Sequence, residues 1–188
     1  MAIHITGDEA ADRLLTDDPF ALLVGMMLDQ QYPMEHAFRG PAKVVERFGT
    51  LDPVAIAGAE PEAFATLCAT PPAIHRYAGS MAARLQALAQ MVVADYDGDA
   101  SRIWAGVGSG AELLRRIQAL PGFGRQKAQI FVALLAKQLG VRPAGWEQAV
   151  GDYALEGHRS VADVVDADSL QKVRDYKKQQ KQAARAGA

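Results

Sequence analysis

The chain has little cysteine, few aromatic residues and almost no net charge. Its one cysteine, Cys68, allows no internal disulfide and no cysteine-ligated metal cluster. Cys68 follows Phe64 and Leu67 on an apolar face, which reads as a buried structural thiol rather than a nucleophile. No apolar run is long enough to span a bilayer, and residues 1 to 20 lack the basic start and continuous apolar core of a secretory leader. A cytoplasmic protein is therefore expected. Lys and Arg total 20 against 22 Asp and Glu, a net charge of −2, so any polyanion must be met by a local basic face rather than by bulk electrostatics. His36 and His158 have no partner spacing for a transition metal, so no metal site is expected. Period-2 strand patterns, internal repeats and low-complexity linkers are also missing.

What is present is apolar and helical. Hydrophobic residues make up 49% of the 188 residues, enough for one sizeable core or for two lobes sharing a cleft. The fold class read from the pattern is all-α, in one domain over residues 1–188. Thr6-Gly7-Asp8-Glu9 has capping-box spacing, and Asp18-Pro19 is an N-cap followed by Pro at the first helical position. Pro33 is expected to end the helix begun at Phe20, and Met34 to Phe48 to continue helically with a break at Gly40-Pro41. Asp52-Pro53 and Glu60-Pro61 start two short helices, and Met81, Leu85, Leu88, Val92 and Val93 give helical spacing to residues 79–96. A loop follows at 141–145, Trp146 opens a short helical stretch, and Ser160 begins another segment. The final helix, about 167–185, carries Lys172, Arg174, Lys177, Lys178, Lys181 and Arg185 against only Asp168 and Asp175. It is either a local basic face or a solvated terminal helix.

The most informative segment is 109–140. Ser109-Gly110-Ala111-Glu112 has capping-box spacing, and Leu113, Leu114, Ile117 and Leu120 recur at helical spacing until Pro121 stops the helix. A second stripe, Ala128, Phe131, Val132, Leu135 and Leu139, ends at Gly140, a C-cap. Between them lies Leu120-Pro121-Gly122-Phe123-Gly124-Arg125-Gln126-Lys127-Ala128. Gly122 and Gly124 can adopt backbone angles closed to other residues and leave room for a close partner. Their N–H groups and the start of the second helix should face outward as an anion site, with Arg125 and Lys127 adding charge. A phosphate is the obvious guest.

This string is similar to the hairpin of the helix-hairpin-helix (HhH-GPD) DNA glycosylases, the superfamily that includes endonuclease III and the adenine glycosylases. A second match supports it: Asp18-Pro19-Phe20-Ala21-Leu22-Leu23, leading to Asp29-Gln30-Gln31, resembles that superfamily's early core helix, which ends in a Gln near the DNA. The resemblance covers most of residues 15 to 145. It implies a two-lobed helical fold with the hairpin at a cleft, a role in base excision repair, and double-stranded DNA with a damaged or mispaired base as partner. A monomer is expected, nucleoid-associated if the protein is bacterial. Some relatives carry a four-cysteine iron–sulfur cluster after the core; this chain has no cysteines there, so no cluster and no other cofactor is expected beyond a monovalent cation at the hairpin.

Monofunctional base excision passes through an oxocarbenium-like state helped by a nearby anion. The family places an Asp just past the second hairpin helix. The corresponding window, Pro143 to Asp152, contains no Val-Asp-Thr-His-like string. Glu147 is the nearest carboxylate, Asp152 the second, and Asp29 a third. Glu147 can equally be a solvated first-turn residue favoured by the helix dipole. Bifunctional relatives place a Schiff-base Lys two residues after the second hairpin Gly. Here that residue is Gln126. Lys127, one residue later and about 100° around the helix, is expected on a different face, contacting phosphate or solvent. Gln31 is the residue expected to fill the space of a displaced nucleotide. Gln30, Tyr32 and Trp146 are candidates for the base pocket, although aromatics beside apolar helices are also ordinary core. His75 and Tyr77 fall where relatives begin a cleft-lining helix, and Arg76 and Ser80 could touch phosphate. Two function classes follow: a monofunctional DNA glycosylase, or a non-catalytic DNA-binding or lesion-sensing module. The sequence does not name the base.

Overall fold

A computed structural model describes residues 2–188. Among them there is no β-strand, only an isolated bridge between Ser109 and Ala144. The helices are α1 (Glu9–Asp17), α2 (Pro19–Leu28), α3 (Met34–Phe48), α4 (Pro53–Ala57), α5 (Pro61–Ala69), α6 (Ala78–Tyr96), α7 (Gly110–Gln118), α8 (Arg125–Gln138), α9 (Trp146–Val150) and α10 (Ala167–Ala186). Short 3₁₀ turns lie at Ala100–Ile103, Gly151–Ala154 and Val161–Asp163.

Helix α2 is the spine. It is apolar on every side, the pattern of a helix enclosed by protein rather than laid on a surface, and every residue from Phe20 to Leu28 is buried. Asp18 starts it by accepting from the Phe20 and Ala21 N–H groups, and Pro19 fits the first turn. Helices α1, α3 and α6 pack around it, and α4 and α5 cover the outer side of α6. The second group of helices is built on α8, which carries α7, α9 and the two C-terminal 3₁₀ turns. The close approaches need glycine: a Cβ on Gly25 would lie 2.6 Å from the Phe38 ring, and one on Gly110 2.4 Å from the Trp146 Cα.

Four local expectations are corrected. The N-cap of α1 is Asp8, which accepts from the Ala11 N–H, while Thr6 donates instead to Asp12 at 2.8 Å. Helix α2 ends at Leu28, five residues before Pro33, which instead caps α3. Helix α3 runs unbroken through Gly40-Pro41; Gly40 packs so close to α2 that a Cβ there would lie 2.3 Å from Leu28 Cδ1, and this packing outweighs the lost amide of Pro41. Glu112 does not complete the box with Ser109; it accepts from the Gly108 N–H at 3.0 Å and pairs with Arg116 at 2.6 Å. The remaining signals produced the expected helices, and Cys68 is buried, its thiol pushed up to about 11 by burial.

Candidate functional site

The two hairpin glycines do different work. Gly122 has φ +84, and a Cβ there would lie 2.7 Å from Arg84 Cδ and 3.0 Å from Met27 Cγ. Its room is used by the protein's own α2 and α6, not left for a ligand. Gly124 is exposed with open space around it, and it precedes α8 without a side-chain cap. The first-turn N–H groups of α8 therefore have no side-chain acceptor, the condition for an anion seat. Phe123 turns inward and packs on Phe131 at 5.8 Å between ring centroids.

Beside this helix start opens a cleft of about 830 Å³. One wall is the end of α2 and the following loop, with Asp29, Gln30, Gln31 and Tyr32. A second is the face of α8 bearing Gln126, Lys127 and Gln129. The third is formed by Asp152, Tyr153, Arg159 and the α10 residues Tyr176, Lys177 and Gln180.

At the floor, the Lys127 amine donates to the Met27 carbonyl at 2.8 Å and to Gln30 Oε1 at 3.5 Å. Burial pushes this amine down to about 8, although the Asp29 charge works against the shift. Asp29 caps the end of α2 with its side chain only 10% exposed and Lys177 Nζ at 3.8 Å. Its acid is raised above the usual carboxylate range because burial outweighs the Lys177 and Lys127 charges. Gln126 Nε2 donates to Tyr153 Oη at 2.9 Å.

The loop over this floor is held by His75, in the turn before α6, and by Arg84 of α6. His75 is buried, with Nε2 2.9 Å from the Gln30 carbonyl, and Nδ1 accepts from the Tyr77 N–H at 3.0 Å. This pair of contacts fixes the neutral Nε2–H tautomer, and burial lowers the imidazole below its ordinary value. Arg84 holds the Gln30 side chain at 3.1 Å. Gln31 follows in the left-handed region at φ +52, exposed at the cleft.

A family model for the HhH-GPD superfamily of base excision DNA repair proteins matches residues 24–187. The chain belongs to that superfamily. No curated protein and no solved structure matches it.

Within this HhH-GPD chain the expected site residues separate into two sets. Asp29, Gln30, Gln31, Tyr32, Gln126, Lys127 and Asp152 meet at the cleft. Glu147 does not: it is exposed on α9 and lines no part of the cleft, because Trp146 before it is drawn into the core against Gly110 and turns the next residue outward. Trp146 itself is 8% exposed and is core, not base pocket. Phe123 is core for the same reason. Arg125 faces away, lining a shallow depression with Arg115 and Gln148. Lys127 is the other correction. Although about 100° from Gln126, both side chains reach the cleft, because the end of α2 lies over the start of α8 and wraps that part of its circumference. Among the described residues no group of three or more His, Cys, Asp or Glu could hold a metal ion. No helix there is long and apolar enough to cross a membrane.

Sequence reasoning did not single out Gln129, Tyr153, Arg159 or Gln180 for the cleft, nor Arg84 as the residue that holds Gln30. Lys177 and Tyr176 were legible only as members of the last helix. Their helical spacing, Val173, Tyr176, Lys177 and Gln180, marks the face turned inward, with Val173 buried. Arg174, on the neighbouring stripe, pairs with the shielded Glu35 of α3. A second groove, about 670 Å³ and mainly apolar, lies between residues 2–7, α1 and the start of α10, and contains none of these residues.

Proposed function

We propose that this HhH-GPD protein is a monofunctional DNA glycosylase, with Asp29 as the anion that stabilises the developing sugar cation. The observation that carries this reading is the placement of Asp29: it is the one carboxylate among the three candidates that is both in the cleft and shielded from water. A shielded carboxylate interacts more strongly with a developing cation than one in bulk solvent does. Asp152 shares the cleft but is exposed. The open N-terminus of α8 at Gly124 would seat a backbone phosphate, and Gln31 would enter the space a displaced nucleotide leaves. Release of a base as an alkali-sensitive abasic site, lost in Asp29→Asn with DNA affinity kept, is the expected result. A folded Asp29→Asn protein that excises at the native rate removes Asp29 from this role.

The placement of Lys127 in the cleft, one position on from Gln126, favours a second reading. Burial pushes its amine down to about 8, so part of it is neutral near physiological pH and can act as a nucleophile. Lys127 would then attack the sugar and give the protein lyase activity that Gln126 cannot supply. Borohydride separates the two: a trapped protein–DNA adduct that vanishes in Lys127→Ala establishes the lyase, and no adduct leaves the hydrolytic reading.

A further inference from the structure

We infer that His75 is a positioning residue: in its Nε2–H form it holds the peptide between Gln30 and Gln31, and so presents Gln31 to the space that a displaced nucleotide leaves. The inference rests on the cleft being the seat of that nucleotide.

Gln31 needs such a support. It is exposed at the cleft and sits at φ +52, a region that few residues other than glycine keep unless their surroundings impose it. Because a peptide unit is planar, the Gln30 carbonyl and the Gln31 N–H turn together, and whatever fixes the one orients the other. The remaining polar groups of Gln30 are engaged elsewhere. Its N–H donates to the Leu28 carbonyl at 2.8 Å, and its side-chain oxygen accepts from Arg84 and Lys127. Its carbonyl, the group that leads into Gln31, is the one His75 Nε2 meets at 2.9 Å.

The residue after Gln31 leans on the same ring. Tyr32 packs against the His75 imidazole with 4.8 Å between ring centroids. One buried side chain thus grips the chain on both sides of Gln31, while Gln31 itself lines the cleft. The ring is fixed in turn from its own segment, where Nδ1 accepts from the Tyr77 N–H at 3.0 Å at the start of α6. A histidine serving that turn alone would need only Nδ1. The second nitrogen reaches a residue 45 positions earlier, at the cleft wall.

The grip works in one protonation state. An imidazolium would set an Nδ1–H against the Tyr77 N–H, donor to donor. The charges acting on the ring are all positive: Arg76 of the same turn, Lys127 of α8 and Arg84 of α6. The other titratable groups packed on it, Tyr32 and Tyr77, are neutral phenols in the range where histidine titrates. Acid should therefore release the peptide, and Gln31 with it.

The test uses the full chain and two duplexes of one sequence, one intact and one carrying a tetrahydrofuran abasic analogue, whose missing base leaves the void that Gln31 would fill. Both present the same phosphates, so the ratio of their affinities cancels the sequence-independent attraction. Native protein should prefer the abasic duplex by about tenfold, the effect of one or two hydrogen bonds. His75→Phe keeps a buried ring without the donor and should bring the ratio close to one, with affinity for intact duplex little changed. His75→Gln puts an N–H back at the same reach and should restore most of the preference. The native preference should hold down to about pH 6.5, the ordinary histidine value, and decline only below it, whereas that of His75→Gln should not decline. The inference is overturned by the absence of a native preference, by a preference that His75→Phe retains, or by a His75→Gln ratio no better than that of His75→Phe. Should His75→Phe fail to fold, the acid series decides: a decline in the native protein alone supports the inference, and matching profiles overturn it. Base release by the native protein from lesion-bearing duplexes decides the glycosylase reading separately, since the abasic analogue has no base to release.

Discussion

The two sides of the cleft are built on different principles. On the α2–α8 side, Asp29 and Lys127 are carried by helices whose apolar residues are packed into the core, and Gly122 has no space for a side chain. The α10 side is nearly all surface. Only Ser169 and Val173 of that helix are buried; it rests on the Val161–Asp163 turn and on the Arg159–Tyr176 contact, and it reaches the other side of the cleft through the Arg174–Glu35 and Lys177–Asp29 pairs. Packing of this kind is stiff to within a methyl group, whereas partly exposed ion pairs contribute little and yield to salt. One side can hold reacting groups to a geometry. The other can adjust to what enters.

The largest effect should come from the stiff side. Asp29→Asn is expected to lower base release on the order of a hundredfold or more, as loss of one preorganised electrostatic group does elsewhere. Glu147→Gln should leave it unchanged. If Asp29 serves only to tether α10, Lys177→Met will lose as much activity as Asp29→Asn; single-turnover rates of the two variants decide. Next comes the hairpin. Gly124→Asp puts a negative charge where a phosphate would sit and meets no protein atom, so DNA affinity should fall with thermal stability kept. Gly122→Val should do the opposite damage, lowering the melting temperature through the positive φ and the contact with Met27. Equal affinity of folded Gly124→Asp and native protein for DNA would remove the helix start as the phosphate site.

How much of this was legible in the sequence depends on the range of the signal. Caps and turns act within four residues, so Asp18, Ser109, the left-handed Gly140 just past the α8 cap, and the starts of α4, α5 and α7 could be read from neighbours alone. The all-α class and the hairpin were legible for that reason. The identity of the acting carboxylate was not. Glu147 was favoured by its distance along the chain, but the outward turn of α9 comes from Trp146 packing on Gly110, far back at the start of α7. Lys127 was assigned to another face because its surroundings depend on where α2 ends, and Met27 lies 100 residues earlier. Arg159 and Lys177 enter the cleft only once α10 has folded back along it.

The pH dependence tests what Lys127 does. Its amine ionises at about 8 rather than 10.5. Between those values the unfolded chain binds a proton that the folded chain does not, so stability should rise with pH across that window and be flat below it. Activity in the same window separates the two roles. A neutral amine nucleophile gives a rate that climbs to a plateau above about 8, whereas a cation holding the loop or the substrate gives a rate that falls there. Lys127→Gln should abolish whichever inflection is seen; an inflection unmoved in that variant belongs to another group.

The smallest effect belongs to the far end of α10. Lys178, Lys181 and Arg185 are exposed, and after Asp175 no acidic residue follows. They stand along the helix beyond Lys177, which lines the cleft, so a duplex lying across the cleft would bring phosphates near them. Replacing all three by Gln should weaken binding to every duplex alike, whatever base it carries, and flatten the plot of log affinity against log salt by about 0.9 for each phosphate no longer neutralised. Base release at saturating DNA should not change, because these side chains touch neither Asp29 nor Lys127. An unaltered salt slope would make this end of α10 a solvated terminus and confine the adjustable side of the cleft to Arg159, Tyr176 and Lys177.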